Sequence, residues 1–220
     1  MIYSENILIC IAIPLLIAII FTKRSTRRFI TSFILGMIIC LISAYFSGFI
    51  KFVTGTSMDD TAVLYSPIVE EILKMLPILF YIVVFQQKDD KIFIVAVGIG
   101  LGFATFENCC YILSSGASDI AYVLIRGMAV GIMHLVCALL LVLGLSLARY
   151  FRVLAIPAGI GALAIPTVFH GLYNLLVSKP GVSSYLGYTI PILTAVILYI
   201  PYRKVMNEER EELIDYRRTK

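Results

Sequence analysis

The feature that most limits this chain is a succession of apolar runs, at about 6–22, 29–50, 63–85, 92–114, 120–148, 153–177 and 184–202. About 20 such residues carry an α-helix across roughly 30 Å of hydrocarbon. In that medium backbone N–H and C=O groups must be satisfied within the segment, which favours helices. The expected fold is all-α, a polytopic transmembrane helical bundle of about seven spans, with room for an eighth. At 60% hydrophobic and 15% charged residues, the chain cannot be a secreted disulfide scaffold, a disordered regulator or a nucleic-acid-binding domain. One integral membrane domain over 1–202 is expected, embedded in the lipid bilayer, followed by a charged cytoplasmic tail at 203–220.

Basic residues give the orientation. If the N-terminus is extracytoplasmic, the inner loops and tail hold fourteen Lys and Arg, among them Lys23, Arg24, Arg27, Arg28, Lys88, Lys91, Arg149 and Arg152. The outer loops then hold only Lys51 and Lys179. Cytoplasmic loops carry the excess of positive charge, so the C-terminus is expected inside the cell membrane. No cationic region precedes the first run, which reads as an uncleaved span.

The five cysteines lie in apolar runs and read as small hydrophobes. Gly98 and Gly102, like Ala155 and Gly159, stand four residues apart, a spacing that lets helix backbones approach. Gly98-x-Gly100-x-Gly102 has no preceding strand and no following Gly-Lys-Ser/Thr, so it is not a phosphate loop.

Ionisable groups in a bilayer cost about 3 kcal/mol each at mid-membrane, so they face a bundle interior and usually have a role. Here they cluster. The third span carries Glu70, Glu71 and Lys74, the fourth Glu107 and Asn108, the fifth His134, and the sixth His170 and Asn174. Both histidines of the chain belong to this set. At about 1.5 Å per residue, Glu70, Glu107 and His170 each lie roughly 10 Å from the outer ends of their spans. His134 is expected deeper, about fourteen residues from the start of its span. A cavity near the outer face would unite them.

Residues three or four apart share a helical face. Lys74 shares one with Glu70 and Glu71, and its ammonium can pair with one carboxylate. One acid can then act as base and the other as orienter. His170 and Asn174 share a face, as do Phe103 and Glu107, and an imidazole beside an amide can orient water or stabilise an oxyanion. No Gly-x-Ser-x-Gly is present, and Cys137 near His134 is a buried thiol of the inert kind. The remaining nucleophile is water. Glu71, Glu107, His134 and His170 would make a sensible zinc set, although His-Glu-x-x-His is absent, and the same groups suit metal-free activation of water.

Taken in order, Glu70-Glu71-x-x-Lys74, Phe103-x-x-x-Glu107-Asn108, His134 and His170-x-x-x-Asn174 resemble the four motifs of the PrsW family of intramembrane proteases. More distantly they are similar to the CAAX prenyl protease and bacteriocin-immunity membrane proteins, whose pattern runs Glu-Glu-x-x-x-Arg, Phe-x-x-x-His and His-x-x-x-Asn/Asp. Glu107 stands where that pattern has histidine, which argues against prenyl-protein processing. The resemblance implies site-1 cleavage of a single-span anti-sigma factor on its extracytoplasmic side, leading to release of a sigma factor. It also implies catalytic roles for Glu70, Glu71, His134, His170 and Glu107, with Asn174, Lys74, Asn108 and Phe103 in support, and either zinc or no metal.

Two rivals share these residues. A proton-coupled transporter would also bury Glu, Lys and His, but would show broken helices in an inverted repeat. A non-catalytic peptide-binding or immunity protein would keep the cavity without the chemistry. Arg126, about six residues into its span, reads as snorkelling to the outer interface, structural or facing substrate.

Overall fold

The computed structural model describes Leu8 and residues 24–86, 89–115, 120–179 and 181–199. Six long helices account for most of them: α1 (Arg24–Thr54), α2 (Ser66–Phe85), α3 (Asp89–Ser115), α4 (Ile120–Tyr150), α5 (Ala155–Val177) and α6 (Val182–Tyr199). Among the described residues there is no strand.

Among the described residues, five segments are long and apolar enough to cross a membrane: Ser25–Thr54, Asp90–Ser114, Ile120–Tyr150, Arg152–Val177 and Val182–Tyr199. The expected count of about seven is therefore not confirmed. The run at 6–22, Leu8 apart, and the tail at 203–220 lie outside the described residues. The third run folds as α2, but Glu70, Glu71 and Lys74 in its 20 residues make it too polar to count as a span by composition. That polarity is tolerable because α2 lies among the other helices, packing against α1, α3, α4 and α5.

The polarity pattern is inverted relative to a water-soluble domain. Lys74, Glu71 and His134 are wholly buried, while Phe49, Phe80 and Val168 lie open on the outside. A hydrocarbon solvent explains both halves of that pattern, since it accepts the aromatic and branched side chains and excludes charge.

The approach to α2 is irregular. The chain reverses at Gly55 in the left-handed region (φ 66°), then makes a helical turn, Met58–Asp60, where the Asp60 N–H donates to Ser57 Oγ at 3.0 Å. A π-helical turn, Thr61–Tyr65, runs directly into α2. Pro67 follows in the first turn of α2, where its missing N–H costs nothing.

Packing between α1 and α3 is the most extensive in the bundle and depends on small residues. A Cβ on Gly102 would collide with the Phe33 carbonyl, one on Gly36 with the Ile99 carbonyl, and one on Gly98 would stand 2.7 Å from Ser32 Cβ. The spacing of Gly98 and Gly102 thus marks a real backbone crossing. Ala155 and Gly159 do not repeat it, since nothing lies within 4 Å of a Cβ on Gly159. The α4–α5 approach is made instead by Gly144, whose Cβ would meet Ala162 Cβ at 2.6 Å. Between these crossings lies the apolar core, with Met37, Ile92, Ile99, Phe106 and Leu141 at its centre.

The crossing gives a stability prediction. Gly102→Leu is expected to destabilise the fold by about 3 kcal/mol or more, at or beyond the upper end of overpacking costs because backbone must move. Gly159→Ala is expected to leave it unchanged or slightly more stable. Reversible unfolding in mixed detergent micelles measures both, and equal stability of the two variants would refute the crossing.

Candidate active site

Four helices contribute to one buried polar cluster. Glu70, Glu71 and Lys74 sit on the first turns of α2, Glu107 late in α3, His134 midway along α4, and His170 near the end of α5. Its centre is Lys74. The Lys74 Nζ donates to Glu71 Oε1 at 2.6 Å and to His134 Nδ1 at 2.9 Å. The Phe103 ring closes the remaining side, its centroid 4.5 Å from Nζ and 4.6 Å from that of His134.

These contacts decide the imidazole tautomers. An ammonium only donates, so His134 Nδ1 accepts and the ring proton sits on Nε2. There it donates to Glu107 Oε2 at 2.6 Å. His170 is oriented in the opposite sense: its Nδ1–H donates to Glu71 Oε1 at 2.9 Å, which leaves a lone pair on Nε2. That nitrogen faces Glu70 Oε2 at 3.7 Å, too far for a hydrogen bond. The two rings meet edge to face with centroids 4.9 Å apart.

Within this cluster two buried carboxylate oxygens have no hydrogen-bond partner among the described residues, Glu70 Oε2 and Glu71 Oε2. A buried anionic oxygen in an apolar surround is costly unless something polar sits against it. Both therefore mark room for a water or a cation.

The expected residues distribute unevenly. Glu70, Glu71, Lys74, Glu107, His134, His170 and Phe103 come together. His134 joins at the level of Glu107 instead of lying deeper. The reason is the length of α4: its 31 residues measure about 46 Å, well beyond the hydrocarbon thickness, so counting from its first residue exaggerates depth. Of the two glutamates on its face, Lys74 forms its ion pair with Glu71. Asn108 has a buried Oδ1 with no hydrogen-bond partner among the described residues.

Asn174 serves the irregular turn. Its Nδ2 donates to the Ala62 carbonyl at 2.9 Å, and a Cβ on neighbouring Gly171 would lie 3.2 Å from the Val63 carbonyl. Gly171 and Asn174 thus seat α5 against the π-helical turn that leads into Glu70 and Glu71. Spacing had placed Asn174 beside His170, but carbonyls freed by π geometry cannot be read from local sequence. Arg126 was also underestimated, since its Nη2 stands 3.6 Å from Glu107 Oε1. The legible signal was its place two turns before His134 on α4.

The metal set differs from the one expected. Glu71 and Glu107 are engaged in orienting His170 and His134, whereas Glu70, His134 and His170 offer ligand atoms all within 4.8 Å of one another. Zinc bonds of about 2.0–2.2 Å join ligand atoms no more than about 4.3 Å apart, so small side-chain movements complete such a site. The residues fit. Glu70 Oε2 is unpartnered, and His170 Nε2 is presented by a carboxylate on the far side of its ring, the usual support of a metal-binding histidine. His134 would exchange one of its two hydrogen bonds for the metal.

Over residues 24–202 the sequence matches the family described as PrsW family intramembrane metalloprotease. Neither curated proteins nor solved structures contain a match.

Removing the central cation tests the cluster. Lys74→Met leaves buried Glu71 uncompensated and is expected to cost about 3–5 kcal/mol. Pairing it with Glu71→Gln is expected to recover part of that loss, because residues in one network do not add. A double variant whose unfolding free energy falls by the sum of the two single losses would show that the pair is not coupled.

Proposed function

Because the match extends over more than half of its length, the protein belongs to the PrsW family of intramembrane metalloproteases and is a membrane-embedded peptidase, and we propose that Glu71 is its general base. The observation that carries this reading is the pair of unpartnered buried oxygens, Glu70 Oε2 and Glu71 Oε2, on successive residues beside His170. The two carboxylates are held differently. Glu71 is pinned at Oε1 by Lys74 and His170, leaving Oε2 open, whereas Glu70 turns Oε2 toward the lone pair of His170.

Glu70, His170 and His134 are the residues that would hold zinc. When bound there, zinc would polarise the scissile carbonyl and help ionise the attacking water. The chain's own groups account for the protons. Glu71 Oε2 takes one from water as its oxygen bonds to the carbonyl carbon, and returns it to the departing amine as the C–N bond breaks. Lys74 stays hydrogen-bonded to Glu71 and keeps a positive charge beside it. Glu107 holds His134 in the Nε2–H tautomer, as Glu71 holds His170 in the Nδ1–H form.

The substrate in this reading is a single-span anti-sigma factor, cut at site 1 near the outer face of the cell membrane, with release of a sigma factor as the outcome. The resemblance of the four motifs supports the substrate class. The distribution of Lys and Arg supports an extracytoplasmic N-terminus, a cytoplasmic C-terminus and a site near the outer face.

Two readouts separate the acids. In cells co-expressing a tagged single-span anti-sigma factor, Glu71→Gln is expected to lower cleavage by about 10²–10⁴-fold at equal membrane levels. The purified variant is expected to keep its zinc, while Glu70→Gln and His170→Gln lose it. Cleavage by Glu71→Gln at the wild-type rate would end the general-base assignment.

A further inference from the structure

The buried cluster is most open at Glu107, and Glu70 is 15% exposed. Side chains of Lys74, Glu71 and His134 are fully covered and that of His170 nearly so, but Glu107 is 34% exposed and Arg126 beside it 17% exposed. Glu107 commits only Oε2 to His134. Its Oε1 faces Arg126 Nη2 at 3.6 Å, beyond hydrogen-bond reach.

Arg126 is held in place and yet poorly satisfied. Its guanidinium lies 3.4 Å from the centre of the Tyr111 ring, and the Tyr111 and Tyr122 hydroxyls bond to each other at 3.0 Å, which ties α3 to α4 around it. Its Nε is buried without a hydrogen-bond partner among the described residues. A guanidinium carries five donors, and in an apolar surround donors left unused are costly.

Two properties of this pair define what would fill it. It is electrically neutral overall, and the Glu107 charge would repel a carboxylate or phosphate arriving at Arg126. It also sets a donor and an acceptor side by side, the pattern that one edge of a β-strand presents to its neighbour. A transmembrane substrate must unwind locally before a peptide bond can be attacked, and unwinding exposes backbone N–H and C=O groups that find no partner in lipid.

We infer that Arg126 and Glu107 bind the backbone of the unwound substrate segment, Arg126 donating to a carbonyl and Glu107 Oε1 accepting the neighbouring N–H. The inference rests on the peptidase reading above. Through Glu107 the guanidinium is within roughly 8 Å of His134, about two residues of extended chain, so the contact falls about two residues from the bond that is cut. Extended-backbone pairing gives affinity with little dependence on side-chain identity. Arg126 would be a substrate-binding residue at the mouth of the site.

The test uses the full chain in lipid nanodiscs. The probe is a synthetic peptide spanning the outer half of an anti-sigma factor membrane segment, made as the all-amide form and as a series with single amide-to-ester replacements. An ester removes one N–H and weakens one carbonyl acceptor without changing side chains. Besides the ester at the preceding link, which removes the N–H facing Glu107, the ester that weakens the carbonyl facing Arg126, about two residues from the cut, is expected to lower wild-type kcat/KM about tenfold or more. Arg126→Gln is expected to lose about 10–100-fold on the all-amide peptide, mainly through KM, and to lose less than about twofold further on that ester. Arg126→Lys is expected to recover part of the loss whatever side chain the peptide carries at that position.

Equal ester penalties in wild type and Arg126→Gln would overturn the inference. A loss that appears only with acidic peptides would assign Arg126 to a side chain instead, and one that disappears with neutral lipids would assign it to headgroups. If wild type cuts no peptide of the series, the peptidase reading fails first, before any variant is compared.

Discussion

A lysine ammonium buried among four helices is the contact on which the site depends. Lys74 bridges Glu71 of its own helix and His134 of α4, and all three side chains are fully covered. In hydrocarbon the alternative to this pairing is an uncompensated charge, which costs several kcal/mol. The same ammonium decides which nitrogen of His134 carries the proton, and so which face of that ring meets Glu107. Through Glu71 it also decides how His170 is turned. One cation therefore sets the hydrogen-bonding state of both histidines.

Such a cluster needs helices that approach closely and in fixed register. Lipid supplies no hydrophobic drive between helices, so association relies on van der Waals fit and polar contacts. Gly36, Gly98 and Gly102 let the backbones of α1 and α3 touch, and Gly144 against Ala162 does the same for α4 and α5. These crossings sit away from the acids and imidazoles, yet they aim Glu107 and His170 inward. The π-helical turn before α2, held by Asn174 and shaped around Gly171, brings the two adjacent glutamates into the same cluster. Irregular helices at membrane depth are tolerable where other helices satisfy the freed carbonyls, and Asn174 does that for Ala62.

Much of the candidate site was legible because the bilayer makes polar residues conspicuous. Glu70, Glu71, Lys74, Glu107, His134 and His170 stand out from apolar runs, and helical spacing groups them by face. What spacing could not supply was pairing. Glu70 and Glu71 stand four and three residues before Lys74, both spacings that share its face, and only the rotation of α2 against α4 and α5 gives the ammonium to Glu71. His134 was misplaced in depth because α4 outruns the membrane. Arg126 looked like a residue at an interface until Tyr111 and Glu107, both on another helix, were found against it.

By itself, then, the sequence determined the all-helical architecture, the residues that must hide from lipid, and through their order the peptidase family. Those properties follow from composition and period along one chain segment, where each residue's contribution is independent of distant ones. The tertiary structure alone decided the partner of each charge, the proton position on each imidazole, the attachment of Asn174 to the turn before α2, and the opening at Glu107 and Arg126. These depend on the rotation and offset of one helix against the next, which are set at glycine contacts between segments far apart in the chain. Hydrogen bonds, which fail within a few tenths of an ångström, are sensitive to that offset in a way that hydropathy is not.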